Sequence, residues 1–302
     1  MTARTIALLT TLALAAQGHA QQPAPDWQTK AGNKLSFEVA SVRPTEPGKF
    51  TPPSFALDPN DGYNNQPGNL FKAGFSLETY IEFAYKLMLS KEQRDAMLTG
   101  QPKWITASNF VIEARAPMDK PTKDQMRLML QSLLADRFHL ALHFEKREAS
   151  VLALTLIKSS KFGPGLRPHA EGPPCDKVVP TTAPGAPQDS AIFPPICYAI
   201  MSDMDGRATR MGSRDTTIPV IGNMLSMIGR FDRTIVDQTG LTGNYDFRIE
   251  WTPQPPGAAT PSDAAGTTLE EAIKEQLGLQ LKSTRANIDI PVIDHVELPS
   301  EN

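Results

Sequence analysis

His139 and His143 lie four residues apart in a run, Phe138 to Phe144, that alternates like a strand. Residues two and four apart on a strand share a face, so two imidazoles side by side there offer a metal ion its first ligands. No third ligand follows at a spacing that completes a site, so a solvent-facing strand surface is the better account of the pair. Asp294-His295 has the composition of a general-base pair. Neighbours on a strand point to opposite faces, so this carboxylate does not orient this imidazole directly. No serine stands in a Gly-x-Ser-x-Gly elbow, and no glycine loop is built to cradle phosphate. Glu270 and Glu271 open a helix, where the helix dipole accounts for them. Trp104, Tyr198 and Trp251, with His295, are the side chains suited to a ligand groove, since large amphipathic rings serve recognition well. Trp251 fits a core strand equally. The sequence therefore assigns no catalytic, cofactor-binding or metal-binding residue.

Two cysteines, Cys175 and Cys197, are present. In an oxidising compartment such a pair reads most simply as one disulfide. It would close a loop of about 22 residues, a constraint worth about 3 kcal/mol on the chain-entropy view. Two separate thiols are the alternative; a zinc site is not, because no histidine has ligand spacing to either cysteine.

The compartment is read from the N-terminus. Arg4 precedes an apolar run, Ile6 to Ala16, and Gly18-His19-Ala20 places small residues where a signal peptidase reads. Residues 1–20 are expected to be a cleaved signal peptide, giving a periplasmic or extracellular protein. No cysteine follows the cleavage point to carry a lipid, and no later segment has the roughly 18 apolar residues of a spanning helix. The chain of 302 residues is 40% hydrophobic and 21% charged, enough for a packed core. A net charge of -3 and a pI near 6.0 give no basic face for a nucleic acid.

The elements follow from spacing. Residues 21–34 read as a flexible lead-in. Phe37, Val39 and Val42 begin a strand that Pro44 ends, and residues 44–67, rich in Pro, Gly, Asn and Asp, read as a loop. Ser76 caps a helix whose buried face is Leu77, Tyr80, Ile81, Ala84, Tyr85 and Met88. Phe110, Ile112 and Ala114 alternate as a strand. Thr122 and Gln125 form a capping box before the stripe Met126, Met129, Leu130, Leu133 and Leu134. Two strands are predicted next, Phe138 to Phe144 and Val151 to Ile157, with a turn at Glu145 to Glu148. Residues 159–205 are rich in Pro, Gly, Ala and Ser and lose periodicity. After them the order returns: a short strand over Arg207 to Met211, and a helix after Thr217 with Ile218, Ile221 and Leu225 on one face. The alternating strand Tyr245, Phe247, Ile249 and Trp251 is next. A helix then follows a capping box at Thr267/Glu270 or Thr268/Glu271, and two strands close the series, Leu279 to Lys282 and Ile288 to Ile293. Asp237-Gln238-Thr239-Gly240 reads as a turn.

These series superimpose. Ser76 matches Thr217, Phe110 and Glu113 match Phe247 and Glu250, and Phe138, Leu140 and Leu142 match Leu277, Leu279 and Leu281, a shift of 139 residues that runs on to Leu154 and Ile293. The expectation is an α+β fold of two similar lobes, 35–158 and 206–302, each a small mainly antiparallel sheet with two helices packed on one face. A Pro/Gly-rich linker, 159–205, joins them.

Three groups of residues carry a resemblance: Phe37-Glu38-Val39-Ala40-Ser41-Val42-Arg43-Pro44; Gly240-Leu241-Thr242-Gly243-Asn244-Tyr245-Asp246-Phe247; and the closing run from Glu275-Gln276-Leu277-Gly278-Leu279 through Val292-Ile293-Asp294-His295-Val296 to Pro299-Ser300-Glu301-Asn302. Over nearly all of residues 36–302 the chain resembles a soil-associated family of secreted bacterial proteins defined only as a domain of unknown function. That family implies no activity and no catalytic residues. Related domains stand behind membrane metallopeptidases of the antibiotic-sensing type, whose His-Glu-x-x-His motif is missing here. The helix-and-two-strand unit is similar to the short N-terminal domain of secretins and TonB-dependent receptors. Duplication, expected export and the absence of a catalytic motif lead to a non-enzymatic envelope module that binds a protein or peptide, with a sheet edge as one means of doing so. The alternatives are a sensor ectodomain working with a membrane metallopeptidase and a secreted hydrolase.

Overall fold

Apolar stripes and alternations of this kind fold only by burying one another, and here they do so around two large cores, with a smaller cluster of Val151, Ile288 and Ile290 beside them. The computed structural model describes residues 25–45, 49–54, 57, 68–159, 161–172, 197, 200–204, 208–253 and 266–299. The expected signal peptide, Cys175 and Tyr198 lie outside the described residues.

The chain is α+β. Helix α1 (Asp26–Ala31) lies in the expected lead-in, too short to show a stripe in sequence. Strand β1 (Val39–Pro44) and β2 (Leu70–Ser76) flank β3 (Asn109–Arg115) in an antiparallel sheet of order β1-β3-β2. Ser76 caps α2 (Leu77–Ala84), which ends before Tyr85 and Met88. The short helices α3 (Lys91–Leu98) and α4 (Trp104–Ala107) follow. Then α5 (Lys123–Phe138) starts from the Thr122/Gln125 capping box. Phe71, Ala73, Phe110, Ile112, Leu77, Ile81, Met129 and Leu133 close the first core. Tyr80 is buried in it; its hydroxyl lies 2.8 Å from Ala73 O and 2.7 Å from Phe110 O, and burial pushes its pKa up.

The second half has a four-stranded sheet of order β5-β9-β7-β6, made of β5 (Leu166–Pro168), β6 (Ile200–Met204), β7 (Thr209–Thr216) and β9 (Tyr245–Trp251). Strands β5 and β6 fall inside the segment read as a linker. Both are short, and β9 and β7 supply their partners, so no alternation marked them. Over this sheet lie α6 (Ile218–Gly229) and α7 (Leu269–Ala272), which continues as a π-helical turn, Ile273–Leu277. Met211, Phe247, Ile249, Ile221, Leu225 and Ile273 lie in the second core.

The largest departure from expectation joins the cores. Four strands and two turns were predicted; instead β4 (Ala141–Leu156) and β10 (Leu279–His295) are each continuous. They pair antiparallel from Leu142↔Ile293 to Leu156↔Leu279. The charged stretch Glu145 to Glu148 is the exposed middle of this ribbon, held by cross-strand pairs: Lys146 to Asp289 at 3.0 Å and Arg285 to Glu148 at 3.0 Å. Polar residues there reflect distance from both cores, not a reversal. Each ribbon end belongs to a different core: Leu142 and Ile293 pack in the first, Leu154 and Leu279 in the second. A three-residue strand, β8 (Ile235–Asp237), adds parallel to the far edge of β4 at Leu152 to Leu154.

Candidate functional site

Strand β9 turns Tyr245, Phe247, Ile249 and Trp251 to the second core, which places Asp246, Arg248 and Glu250 on the opposite face. The register fills that face from both neighbours. Arg167 on β5 sits opposite Asp246, and Arg210 on β7 sits opposite Glu250. Four arginines, Arg167, Arg210, Arg214 and Arg248, share it with Asp246 and Glu250.

Asp246 is the organising group. It is buried, and its Oδ1 accepts hydrogen bonds from His169 Nδ1 at 2.6 Å and from the Asp215 backbone N–H at 3.1 Å. Its Oδ2 accepts from Arg167 Nη2 at 3.4 Å and lies 3.7 Å from Arg214 Nε. Arg214 is itself fully buried, so its charge depends on such company. His169 begins a 3-10 turn, His169–Glu171, anchored by its own N–H to Asn244 O at 2.9 Å. Gly172 closes over the carboxylate: a Cβ there would lie 2.4 Å from Asp246 Oδ2, so only glycine fits.

Beside this network opens a cleft of about 540 Å³, lined by Gly165, Arg167, Asp246, Arg248, Glu250 and Gln276 among others. Its walls are tied together. Gln276 Nε2 donates to Glu250 O at 2.6 Å, and Gln276 Oε1 accepts from Glu250 N at 2.9 Å. Gly165 N donates to Gln276 O, and Arg248 N donates to Gly165 O. Chemically the cleft can recognise polar or charged groups on a wall that does not need to reorganise.

The residues singled out in sequence lie elsewhere. Trp104 packs edge-on to Phe110 (6.0 Å) and stacks on Phe138 (6.4 Å) in the first core. Trp251 is buried in the second core, so the two do not line a common groove. His139 is not on a strand: it is the left-handed C-cap of α5, with φ 49°, and lies 4.0 Å from Glu297. His143 is on β4, with Nδ1 2.9 Å from Asp294 Oδ2 and Nε2 3.5 Å from Glu145 Oε1. The bond to Asp294, with Glu145 beside it, raises its pKa. Asp294 therefore serves His143 rather than its neighbour His295, which is exposed and bonds Glu297 at 2.8 Å. Among the described residues no group of three or more His, Cys, Asp or Glu is placed to hold a metal ion. Asp237 forms the expected turn, its Oδ1 accepting from Thr239 N and Oγ1.

Sequence reasoning missed Asp246, His169, Arg167 and Arg214. Asp246 looked like the solvent side of an alternating strand, and His169 stands where periodicity is lost. The available signal was Arg210 and Arg214, four apart on one strand and hence on one face.

A sequence model for a family described as a protein of unknown function (DUF3738) matches residues 78–296. No curated protein and no solved structure matches the chain.

Proposed function

We propose that this chain, which belongs to the DUF3738 family of proteins of unknown function, is an exported, non-enzymatic binding module of the cell envelope. Its recognition surface is the Asp246 cleft. The observation that carries this reading is the buried carboxylate with its four partners. It fixes Arg167 in the cleft wall and ties His169 to the same carboxylate, which is how a recognition surface avoids losing affinity to side-chain ordering. A protein or peptide is the ligand class that suits a polar, charged, open wall. The test is a screen of short peptides by fluorescence anisotropy, with wild type and Arg167→Ala in parallel. Ligands whose affinity falls at least tenfold in the variant, at unchanged Tm, support the reading. A screen without such ligands overturns it.

The His169–Asp246 pair favours one second reading, a secreted hydrolase, because a carboxylate on Nδ1 also orients a general base. Turnover of ester or peptide substrates that disappears in His169→Ala would establish that reading and displace the first.

Two further expectations support the organisation we propose. Cys197 is buried, consistent with a Cys175–Cys197 disulfide in an oxidising compartment; mass spectrometry under non-reducing conditions tests it. Duplication is supported by the topology, since β1-β3-β2 and β5-β9-β7 have the same neighbours, all antiparallel. It is supported again by the ribbon. A shift of 139 residues carries the pairs of β4 and β10 onto one another, with Glu148 and Asn287 exchanging places at the centre.

A further inference from the structure

Strand β10 is an edge of its sheet, and its two halves are treated differently. Ile157 N donates to Gly278 O across the ribbon, so the even-numbered residues of β10 bond to β4, and the odd-numbered ones direct N–H and C=O outward. In the half near the first core this edge is guarded. Gln93 Nε2 donates to Asp289 O and Gln101 Nε2 to Ile293 O, each at 2.9 Å, while Pro291 stands at an outward position where its missing N–H costs nothing. In the other half, Leu281, Ser283, Arg285 and Asn287 have no neighbouring strand among the described residues, and Lys282 to Arg285 are exposed. The opposite edge of the same ribbon already accepts an added strand, β8.

We propose that residues 281–287 of β10 are a docking edge for an extended acidic peptide, which would add to the ribbon as a further strand. This adds to the binding-module reading, on which it rests, a second surface apart from the Asp246 cleft. Unpaired backbone groups supply the sequence-independent hydrogen bonds of strand addition. Charge selects the partner: Lys282 and Arg285 border the open edge, and Arg233 Nη1 donates to Ser283 Oγ at 2.8 Å. Glu148 and Asp232 offset Arg285 and Arg233; Lys282 makes no ion pair among the described residues and is available to an acidic side chain. A second copy of this chain does not fit, because edge-to-edge pairing would set these cations against their own equivalents. Next to the edge, Leu281, Leu152, Ile273 and Phe231 line a groove of about 180 Å³ together with Ser283, Arg233, Lys274 and Glu270, so the peptide meets apolar contacts and two cations against one carboxylate.

The probe is a synthetic seven-residue peptide of alternating glutamate and valine around a central leucine, capped at both ends, compared with its lysine counterpart by fluorescence anisotropy on the whole chain. The acidic peptide is expected to bind at least tenfold more tightly. Ser283→Pro, which removes one outward N–H at a position equivalent in register to Pro291, should weaken binding at least tenfold. Should that variant fold poorly, the exposed single change Lys282→Glu, which breaks no ion pair among the described residues, should remove the charge preference at unchanged Tm. Equal binding of both peptides, or indifference to both variants, overturns the proposal. Binding lost in Arg167→Ala but kept in Ser283→Pro moves the peptide to the Asp246 cleft, so the edge is rejected while the module reading stands.

Discussion

Asp246 holds His169, Arg167, Arg214 and the Asp215 backbone in place at once. Replacing it with asparagine keeps the shape and removes a carboxylate on which His169, Arg167 and buried Arg214 converge. Breaking a buried charged network costs about 3 kcal/mol, so Asp246→Asn should lower the urea midpoint of unfolding markedly. His143 lies at the other extreme, exposed between Asp294 and Glu145. Its folded pKa is raised, so the stability it contributes is complete below its unfolded value of about 6.5 and is lost as pH rises through the folded value. The contribution is small because the pair is solvated. In an NMR titration the His143 midpoint should lie above the ordinary histidine value and fall back in Asp294→Asn. Sequence shows that Asp294 and His295 cannot serve each other, since neighbours on a strand diverge. It does not show that Asp294 meets His143, because that contact spans two strands brought together only by the ribbon.

Elements were legible where the chain marks their ends locally. The Thr122/Gln125 box begins α5, and the Thr268/Glu271 box begins α7. Thr122→Ala should therefore cost about 1 kcal/mol, seen as a lowered Tm. Elements that depend on partners were not legible. Strand β8 has three residues and exists because Leu152 N and Leu154 O face it. The middle of β4 looks like a turn because its own residues there are charged; the buried side chains of that stretch, Ile288 and Ile290, belong to the partner strand β10. Helix α3 carries few apolar residues: Met97 enters the first core and Ala96 packs on Ile288 and Ile290, while Gln93 bonds β10.

At the scale of the molecule, the ribbon determines what counts as a unit. The expected division at 158 and 206 separates sequences but not cores, since Ile293 completes the first core and Leu154 the second. The two halves should therefore unfold in a single calorimetric transition. A fragment of residues 35–158 should give the poorly dispersed amide spectrum of an unfolded chain, and a cooperatively folded fragment would refute the shared-core description. Strands β1, β3 and β9 were readable from hydrophobic spacing; the exchange of strand ends was not, because a crossing ribbon and two local hairpins bury the same alternating residues. The crossing also matters during synthesis. Ile293 leaves the ribosome about 150 residues after Leu142, so the first core stays open until β10 has been made. Shortening the chain by its final strand should thus leave protease-sensitive material throughout, including the parts made first.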